Sequence, residues 1–431
     1  MSHAKNARAL AVELLVRIEE AGGYTNLLLD KTLAETDLSP ADKRLCTQIV
    51  YGVTERRLTL AHIVAERTKK PPEPVIRCIL YAGLYQLLWC DRIPDSAAVN
   101  ESVRLCGVFR KKSAGGFVNA VLRGFLRDGK RYALPGDPLE AMQVQYSAPA
   151  ALIQRLIAEH GEAEAKAFLE DSLLPPPLTV RLNTTRATAD DLAPFGAKAC
   201  PQAEGAYVLE AADAVHSEAF KKGLFHVQDL APQICCALLG ARPGETVLDV
   251  CAAPGGKSFT IAERMEDRGH VYAFDLYPQR VGLIRDGAQR LGLTCIRADV
   301  QDATQHRDDM PLADRILCDV PCSGFGVIRR KPEIKYTPLD QAAALPEIQY
   351  QILETAAQYL RPGGTLVYAT CTVLRAENED VVARFLASHL DFSLAPLTER
   401  GQTAGQMTFL PQHHGSDGFF AARLVRAAKE G

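Results

Sequence analysis

The chain has 431 residues, 47% hydrophobic and 23% charged, with 31 Gly and 25 Pro. That balance excludes a coiled coil, a collagen-like repeat and a disordered chain, and it predicts about three domains or subdomains. The net charge of −3 hides a division: residues 1–135 carry 21 Lys+Arg against 14 Asp+Glu, and the remainder carries 28 against 38. The two parts are expected to meet different partners. The first ten residues lack the apolar stretch of a signal peptide, and no apolar run reaches the roughly 18 residues of a membrane span. A soluble cytoplasmic protein is expected, with no membrane partner. Twelve cysteines in so long a chain point to reduced thiols. None has C-x-x-C spacing, so no metal site is expected.

Residues 1–135 read as all helical. Ala7, Leu10, Ala11, Leu14, Leu15 and Ile18 recur at helical spacing, as do Ile76, Ile79, Leu80, Gly83, Leu84, Leu87 and Leu88. The second stripe is broad enough for a mostly buried helix. Ser39-Pro40 and Asp95-Ser96 offer N-caps. A turn cluster at 134–138 ends this part. Residues 136–230 read as a small mixed α+β connector, with a helix over 149–159 and a strand over 178–182. Pro175-Pro176-Pro177 stops any helix before that strand.

From residue 231 to 431, strands alternate with helices. Strands are predicted over 246–250, 270–275, 295–299, 315–319, 365–370 and 418–425. Helices are predicted after Gly256 and over 278–291, 340–360 and 376–388. This pattern implies an α/β, Rossmann-like domain with a mostly parallel sheet and helices on both faces.

Chemistry-bearing residues fall at the predicted strand ends. Cys251-Ala-Ala-Pro-Gly-Gly-Lys257 lies between a strand and a helix, where small residues let a backbone approach a ligand closely. Asp275, at the end of the next strand, suits a ribose diol. There is no G-x-G-x-x-G, and Gly255-Gly-Lys-Ser258 is not a phosphate-binding P-loop. A purely structural glycine turn, with Asp275 as a helix cap, accounts for the same residues. Asp299 ends another strand. Asp319-Val-Pro-Cys322 sets a carboxylate and a thiol at one strand end, and Cys371 follows another strand. In a doubly wound sheet these ends share one crevice, and a thiolate is the strongest side-chain nucleophile. Cys46, Cys78, Cys90, Cys106, Cys200, Cys235, Cys236, Cys295 and Cys318 are read as small core residues. Arg329-Arg330-Lys331, with Lys335 and Tyr336 close behind, suits a phosphate backbone or an ordinary solvated loop. Arg56-Arg57, Lys69-Lys70 and Arg110-Lys111-Lys112 give the helical part a candidate RNA-binding surface.

The motifs Asp249-Val-Cys-Ala-Ala-Pro-Gly-Gly-Lys257, Asp319-Val-Pro-Cys-Ser323 and Ala369-Thr-Cys-Thr372 together resemble the Nop/Sun family of RNA cytosine-5 methyltransferases. Gly223-Leu-Phe-His-Val-Gln-Asp229 and Arg181-Leu-Asn183 look like that family's motifs ahead of the cofactor loop. The helical part, above all Phe117-Val-Asn-Ala-Val-Leu-Arg123, is similar to the NusB-type RNA-binding domain. The combination resembles the bacterial Sun/Fmu-type branch that modifies small-subunit rRNA. One departure is Val320, where the family usually has Ala; it is expected to crowd the base pocket slightly.

The resemblance implies a seven-stranded class I methyltransferase domain and S-adenosylmethionine as cofactor. It places the cofactor on Cys251, Ala252, Ala253, Pro254, Gly255, Gly256 and Lys257, with Asp275 on the ribose, Asp299 near the adenine and Asp319 on the cofactor side. Cys371 would be the nucleophile, Cys322 the cysteine that assists release, and a protonated Asp319 the partner of the base's N3. The implied reaction is C5 methylation of a cytosine in 16S rRNA through a covalent adduct of Cys371 to C6; the family's usual target is cytosine 967. The implied partner is 16S rRNA, free or in an early small-subunit particle, with the protein a monomer. The alternatives are the same chemistry on tRNA or 23S rRNA, or a non-catalytic RNA-binding or antitermination factor.

Overall fold

The structure is a computed structural model that describes residues 6–21, 25–399 and 402–428. It divides into two compact units. One runs to Leu173 and includes Arg330–Thr337; the other comprises Leu174–Arg329 and the chain from Pro338 onward. Residues 136–230 are therefore shared between the units instead of forming one connector. Among the described residues, no helix is long and apolar enough to cross a membrane.

The first unit is helical, as its 3.6-residue periodicity predicts. Its helices run over Ala7–Ala21, Thr25–Ala34, Pro40–Glu55, Arg57–Ala65, Pro74–Trp89, Asp95–Val108 and Gly115–Arg127, then Pro138–Tyr146, Ala150–His160 and Glu162–Asp171. Pro74–Trp89 is the buried centre, with Ile76, Ile79, Leu80, Leu84 and Leu87 in the core. Ser39 caps Pro40–Glu55 by accepting from the Asp42 N–H at 3.1 Å. Asp95 does not cap its helix; it pairs with Lys130 at 2.7 Å.

The 330–337 segment alters the expectation for the basic residues. Lys335 is 1% exposed, and the Tyr336 hydroxyl lies 2.8 Å from Ser147 Oγ and donates to the Glu55 carbonyl at 3.1 Å. The Arg57 guanidinium covers the Tyr336 ring at 3.9 Å, and Arg56 lies 5.0 Å from the Trp89 ring centre. Burial, with Arg56 and Arg57 adding to it against Glu55, brings the Lys335 pKa down to about 7. Arg56, Arg57, Lys335 and Tyr336 are thus packing elements of the helical unit. Lys69, Lys70, Arg110 and Lys112 are exposed, and Lys111 pairs with Glu73 at 2.6 Å.

The second unit begins with an antiparallel sheet in the order β2-β3-β1-β4: β1 (Leu178–Leu182), β2 (Lys198–Ala199), β3 (Ala206–Leu209) and β4 (Phe225–Val227). The large sheet contains β5 (Thr246–Asp249), β6 (His270–Asp275), β7 (Ile296–Val300), β8 (Ala313–Asp319), β9 (Leu360–Thr370), β10 (Phe392–Leu394), β13 (Gln406–Phe409) and β14 (Phe419–Arg426). Its order is β10-β14-β9-β8-β5-β6-β7, and β13 also pairs with β14. The five strands from β9 to β7 are parallel, and β14 is antiparallel to β9. A separate pair joins β11 (Leu397–Glu399) to β12 (Gln402–Ala404).

Strand residues alternate between two cores, as the pleat requires. Val247, Ala273, Leu317, Val367 and Ala369 pack with helices Leu230–Leu239, Gly256–Arg264 and Pro278–Leu291. Leu248, Phe274, Ile316, Cys318, Leu366 and Tyr368 pack with Leu345–Ala357 and Glu379–Ser388. Pro346 starts its helix instead of interrupting it, because an N-terminal proline removes only an N–H that lacks a helical partner anyway. The strand order reverses between β5 and β8. A parallel sheet opens a ligand crevice at such a point, beyond the strands' carboxyl ends.

Candidate active site

The crevice is lined first by the end of β5. Asp249 is fully buried and accepts from Ser258 Oγ at 2.6 Å, while its Oδ1 has no hydrogen-bond partner. Burial pushes the Asp249 carboxyl up to about 7; Ser258 works against this and Asp319 reinforces it. The chain then turns through residues 251–257 into the helix Gly256–Arg264. Gly255 has φ +112°, and a Cβ there would stand 2.3 Å from the Phe259 ring. Only glycine meets both conditions. Cys251 lies in this turn, and burial raises its thiol well above the usual value. Gln228, from the motif ahead of the loop, accepts from Thr260 Oγ1 at 2.6 Å, which anchors the same helix.

Asp275 ends β6 and is buried. Arg280 approaches it at 3.0 Å and also donates to the Ala253 carbonyl at 2.9 Å. One guanidinium thus joins the expected ribose carboxylate to the glycine loop. Asp299, in β7, is exposed: it accepts from the Val300 N–H at 2.8 Å and lies 3.9 Å from Arg285.

Asp319 ends β8 and forms an ion pair with Lys257 from the glycine loop. Burial disfavours the Lys257 ammonium, but Asp319, with Cys235 and Cys236 adding to it, holds its pKa above the usual lysine value. Lys257 therefore keeps its proton. Val320 points into the core with Leu248 and Phe274, so it does not crowd the crevice.

Three residues beyond Asp319, Cys322 meets Cys371 from the end of β9. Their sulfurs are 3.1 Å apart, and the Cys371 N–H donates to Cys322 Sγ at 3.2 Å. The Cys371 sulfur, burial, and the Glu377 and Asp319 carboxylates hold the Cys322 thiol well above the usual cysteine value. Either sulfur can donate the hydrogen bond between them. The two loops close on a glycine. The Gly326 N–H donates to the Cys371 carbonyl at 3.0 Å, and a Cβ on Gly326 would stand 2.0 Å from the Gly418 carbonyl oxygen.

Asp249, residues 251–257, Asp275, Asp319, Cys322 and Cys371 are thus gathered at one sheet edge, with Asp299 in the outer strand. Sequence reading missed Arg280, Gln349 and Glu377. Arg280 lies five residues after Asp275, where it reads as surface charge. Glu377 precedes a helix, where an acidic residue reads as a solvated dipole partner. Glu377 carries no local signal for its burial. The structure also moves the basic loop: Arg329 donates to the Leu174 and Pro175 carbonyls at 3.2 and 2.8 Å.

A glycine turn, an orphaned carboxylate oxygen at Asp249 and buried acids at successive strand ends suit a cationic nucleoside. This fold and edge define a Rossmann-like class I methyltransferase domain, and its cofactor is S-adenosylmethionine. Residues 236–425 match the family described as 16S rRNA methyltransferase RsmB/F, and residues 5–127 match the NusB family. The chain is 36% identical to the probable ribosomal RNA small subunit methyltransferase B of Bacillus subtilis, over 97% of this chain and 98% of that protein. It is 37% identical to the corresponding Synechocystis protein, over 98% and 100%. Among solved structures, PH0851 superposes with a TM-score of 0.81 at 26% identity, over 97% of this chain and 98% of that one. A methyltransferase homolog from Pyrococcus horikoshii gives 0.60 at 26% identity, over 68% and 99%. The chain belongs to the RsmB/F family of 16S rRNA methyltransferases and carries a NusB-family domain at its N-terminal end.

Proposed function

We propose that this protein is a small-subunit rRNA methyltransferase that modifies C5 of one cytosine in 16S rRNA, with cytosine 967 as the target. The observation that carries this reading is the meeting of Cys322 and Cys371, 3.1 Å apart across the ends of β8 and β9. C5 of cytosine is a poor nucleophile, and methylation there needs a thiolate added at C6. A methyltransferase acting on an exocyclic amine has no use for such a pair.

In this reading, residues 251–257 and Asp275 hold the cofactor, and Asp249 and Asp319 complement its positive charge. When bound, S-adenosylmethionine supplies the methyl group. The Cys371 thiolate attacks C6 and breaks the ring's aromaticity, which makes C5 enamine-like. Lys257 donates a hydrogen bond to the electron-rich pyrimidine edge, and Asp319 accepts from the exocyclic amine. After methylation the C5 proton passes to water. The C5–H electrons form the C5–C6 double bond, and the C6–S bond breaks. Cys322 donates its S–H hydrogen bond to the departing Cys371 sulfur, which favours expulsion as thiolate. The target base must be unpaired or flipped out of its stack.

The test is methyl transfer from labelled cofactor to unmodified 16S rRNA, both free and in an early small-subunit particle, followed by mapping. The expected result is 5-methylcytosine at one position. Transfer to tRNA or 23S rRNA alone would overturn the target and keep the chemistry. A blank on every RNA would overturn both. Cys322→Ala should accumulate a covalent protein–RNA adduct, and normal turnover by that variant would remove its role in release.

A further inference from the structure

We propose that Glu377 is a positioning residue for the thiol pair: its buried carboxylate fastens the Cys322 loop to the Cys371 segment and thereby sets which sulfur holds the proton. The inference rests on the two-cysteine reading above and names what keeps that geometry.

Glu377 is 2% exposed and lies in the short turn Arg375–Glu377, just ahead of the helix Glu379–Ser388. An acid at a helix N-terminus normally faces water. This one turns inward and accepts from the Ser323 N–H at 2.9 Å, Ser323 Oγ at 2.5 Å and Gln349 Nε2 at 2.9 Å. Gln349 also donates to the Pro321 carbonyl at 2.9 Å. The residues on both sides of Cys322 are therefore tied to one carboxylate and one amide. The same turn holds the residues around Cys371. The Tyr368 hydroxyl donates to the Glu377 carbonyl at 2.6 Å. Asn378 accepts from Thr370 Oγ1 at 2.6 Å and donates to the Thr372 carbonyl at 3.1 Å.

All three partners of the carboxylate are neutral donors, an arrangement that suits an ionised, acceptor-only group. Among the described residues, no cation pairs with it. A fixed negative charge beside Cys322 disfavours a second anion there, and burial strengthens that repulsion. Thiolate character is directed to Cys371 and the S–H to Cys322. Glu377 touches neither substrate nor cofactor in this assignment; it acts through Ser323 and the field at Cys322.

The test uses the full chain with unmodified 16S rRNA and S-adenosylmethionine. Glu377→Gln keeps the size of the side chain but turns an amide N–H donor toward groups that must themselves donate. Turnover should fall at least about ten-fold while the covalent protein–RNA adduct accumulates, because release suffers more than attack. Adding Glu377→Gln to Cys322→Ala should cost little beyond Cys322→Ala alone. Equal loss of adduct and turnover, or additive losses, would overturn the proposal.

A second readout needs no RNA. Diamide crosslinking of Cys322 to Cys371, followed by peptide mass spectrometry, should slow about ten-fold in Glu377→Gln if the carboxylate sets the thiol geometry. Unchanged crosslinking would overturn the proposal. If crosslinking slows but Cys322→Ala never yields an adduct, the release role fails and the positioning role stands. Should Glu377→Gln not fold, Gln349→Met removes the amide that joins Pro321 to Glu377. It should shift both readouts the same way by less, and no shift would count against the proposal.

Discussion

The cofactor edge and the thiol edge of the crevice are built differently. At the cofactor edge the partners are near neighbours in sequence. Ser258 reaches back nine residues to Asp249, and Arg280 reaches back five to Asp275. At the thiol edge Cys322 and Cys371 are 49 residues apart, and Ser323 and Glu377 are 54 apart. The first edge needs one strand, one turn and one helix. The second needs β8 and β9 in register, with Cys318 opposite Tyr368 and Asp319 opposite Ala369. A one-residue slip would turn every side chain on a strand to the other face. The surroundings of Cys371 therefore depend on the whole sheet, whereas the glycine turn depends on its own residues.

Cys371→Ala breaks the thiol edge alone. It should abolish methyl transfer, a loss of at least about 1,000-fold in kcat, while calorimetry still records cofactor binding. Lost cofactor binding would show that the two edges are not separable. Lys257→Met cuts the ion pair that joins them. With Asp319 left uncompensated in a partly buried site, kcat/KM should drop roughly ten- to a hundred-fold. A change in cofactor affinity alone would assign Lys257 to the cofactor edge only.

Asp249 sharpens the comparison through pH. Its folded pKa of about 7 lies above the ordinary 3.8, so folding takes up a proton between those values. Its contribution to stability is fully present below the unfolded value and is lost as pH rises through 7. Asp249→Asn should flatten the fall in Tm of the free protein between about pH 5 and 7, an effect of at most a few kcal/mol. A cationic cofactor should bind the wild type more tightly as pH rises through that window. Identical slopes in the two proteins would refute the buried-carboxylate account. Arg280→Gln has the smallest expected effect. Arg280 is about half exposed, so losing its bridge from Asp275 to Ala253 should weaken cofactor binding by only roughly three- to ten-fold. Calorimetry checks this, and tighter binding would mean that Arg280 competes for the carboxylate.

Much of this organisation can be read from residues alone, for definite reasons. The helical unit follows from the 3.6-residue spacing of Leu10, Leu14, Ile76, Ile79 and Leu84. The parallel sheet follows from short apolar strands separated by amphipathic helices. Short strands such as β2, β10 and β13 were not legible. They carry little hydrophobic pattern and form only because β3 and β14 offer free edges. The helix expected over 340–360 divides instead into a helix at Leu345–Ala357 and the start of a long β9 at Leu360. Apolar runs of that length suit either state.

The candidate site divides along the same line. Local turn chemistry, a glycine with no alternative and acids closing strands bring Asp249, residues 251–257, Asp275, Asp319, Cys322 and Cys371 into view from the chain alone. Which of these groups touch was a question for the fold. Lys257 pairs with Asp319, Glu377 turns inward to Ser323, Lys335 is buried in the helical unit, and Arg57 stacks on Tyr336. A charged residue carries no local mark of its eventual partner. The partner is chosen when strand register and helix packing bring distant segments together, and burial then fixes the cost of leaving that charge unpaired.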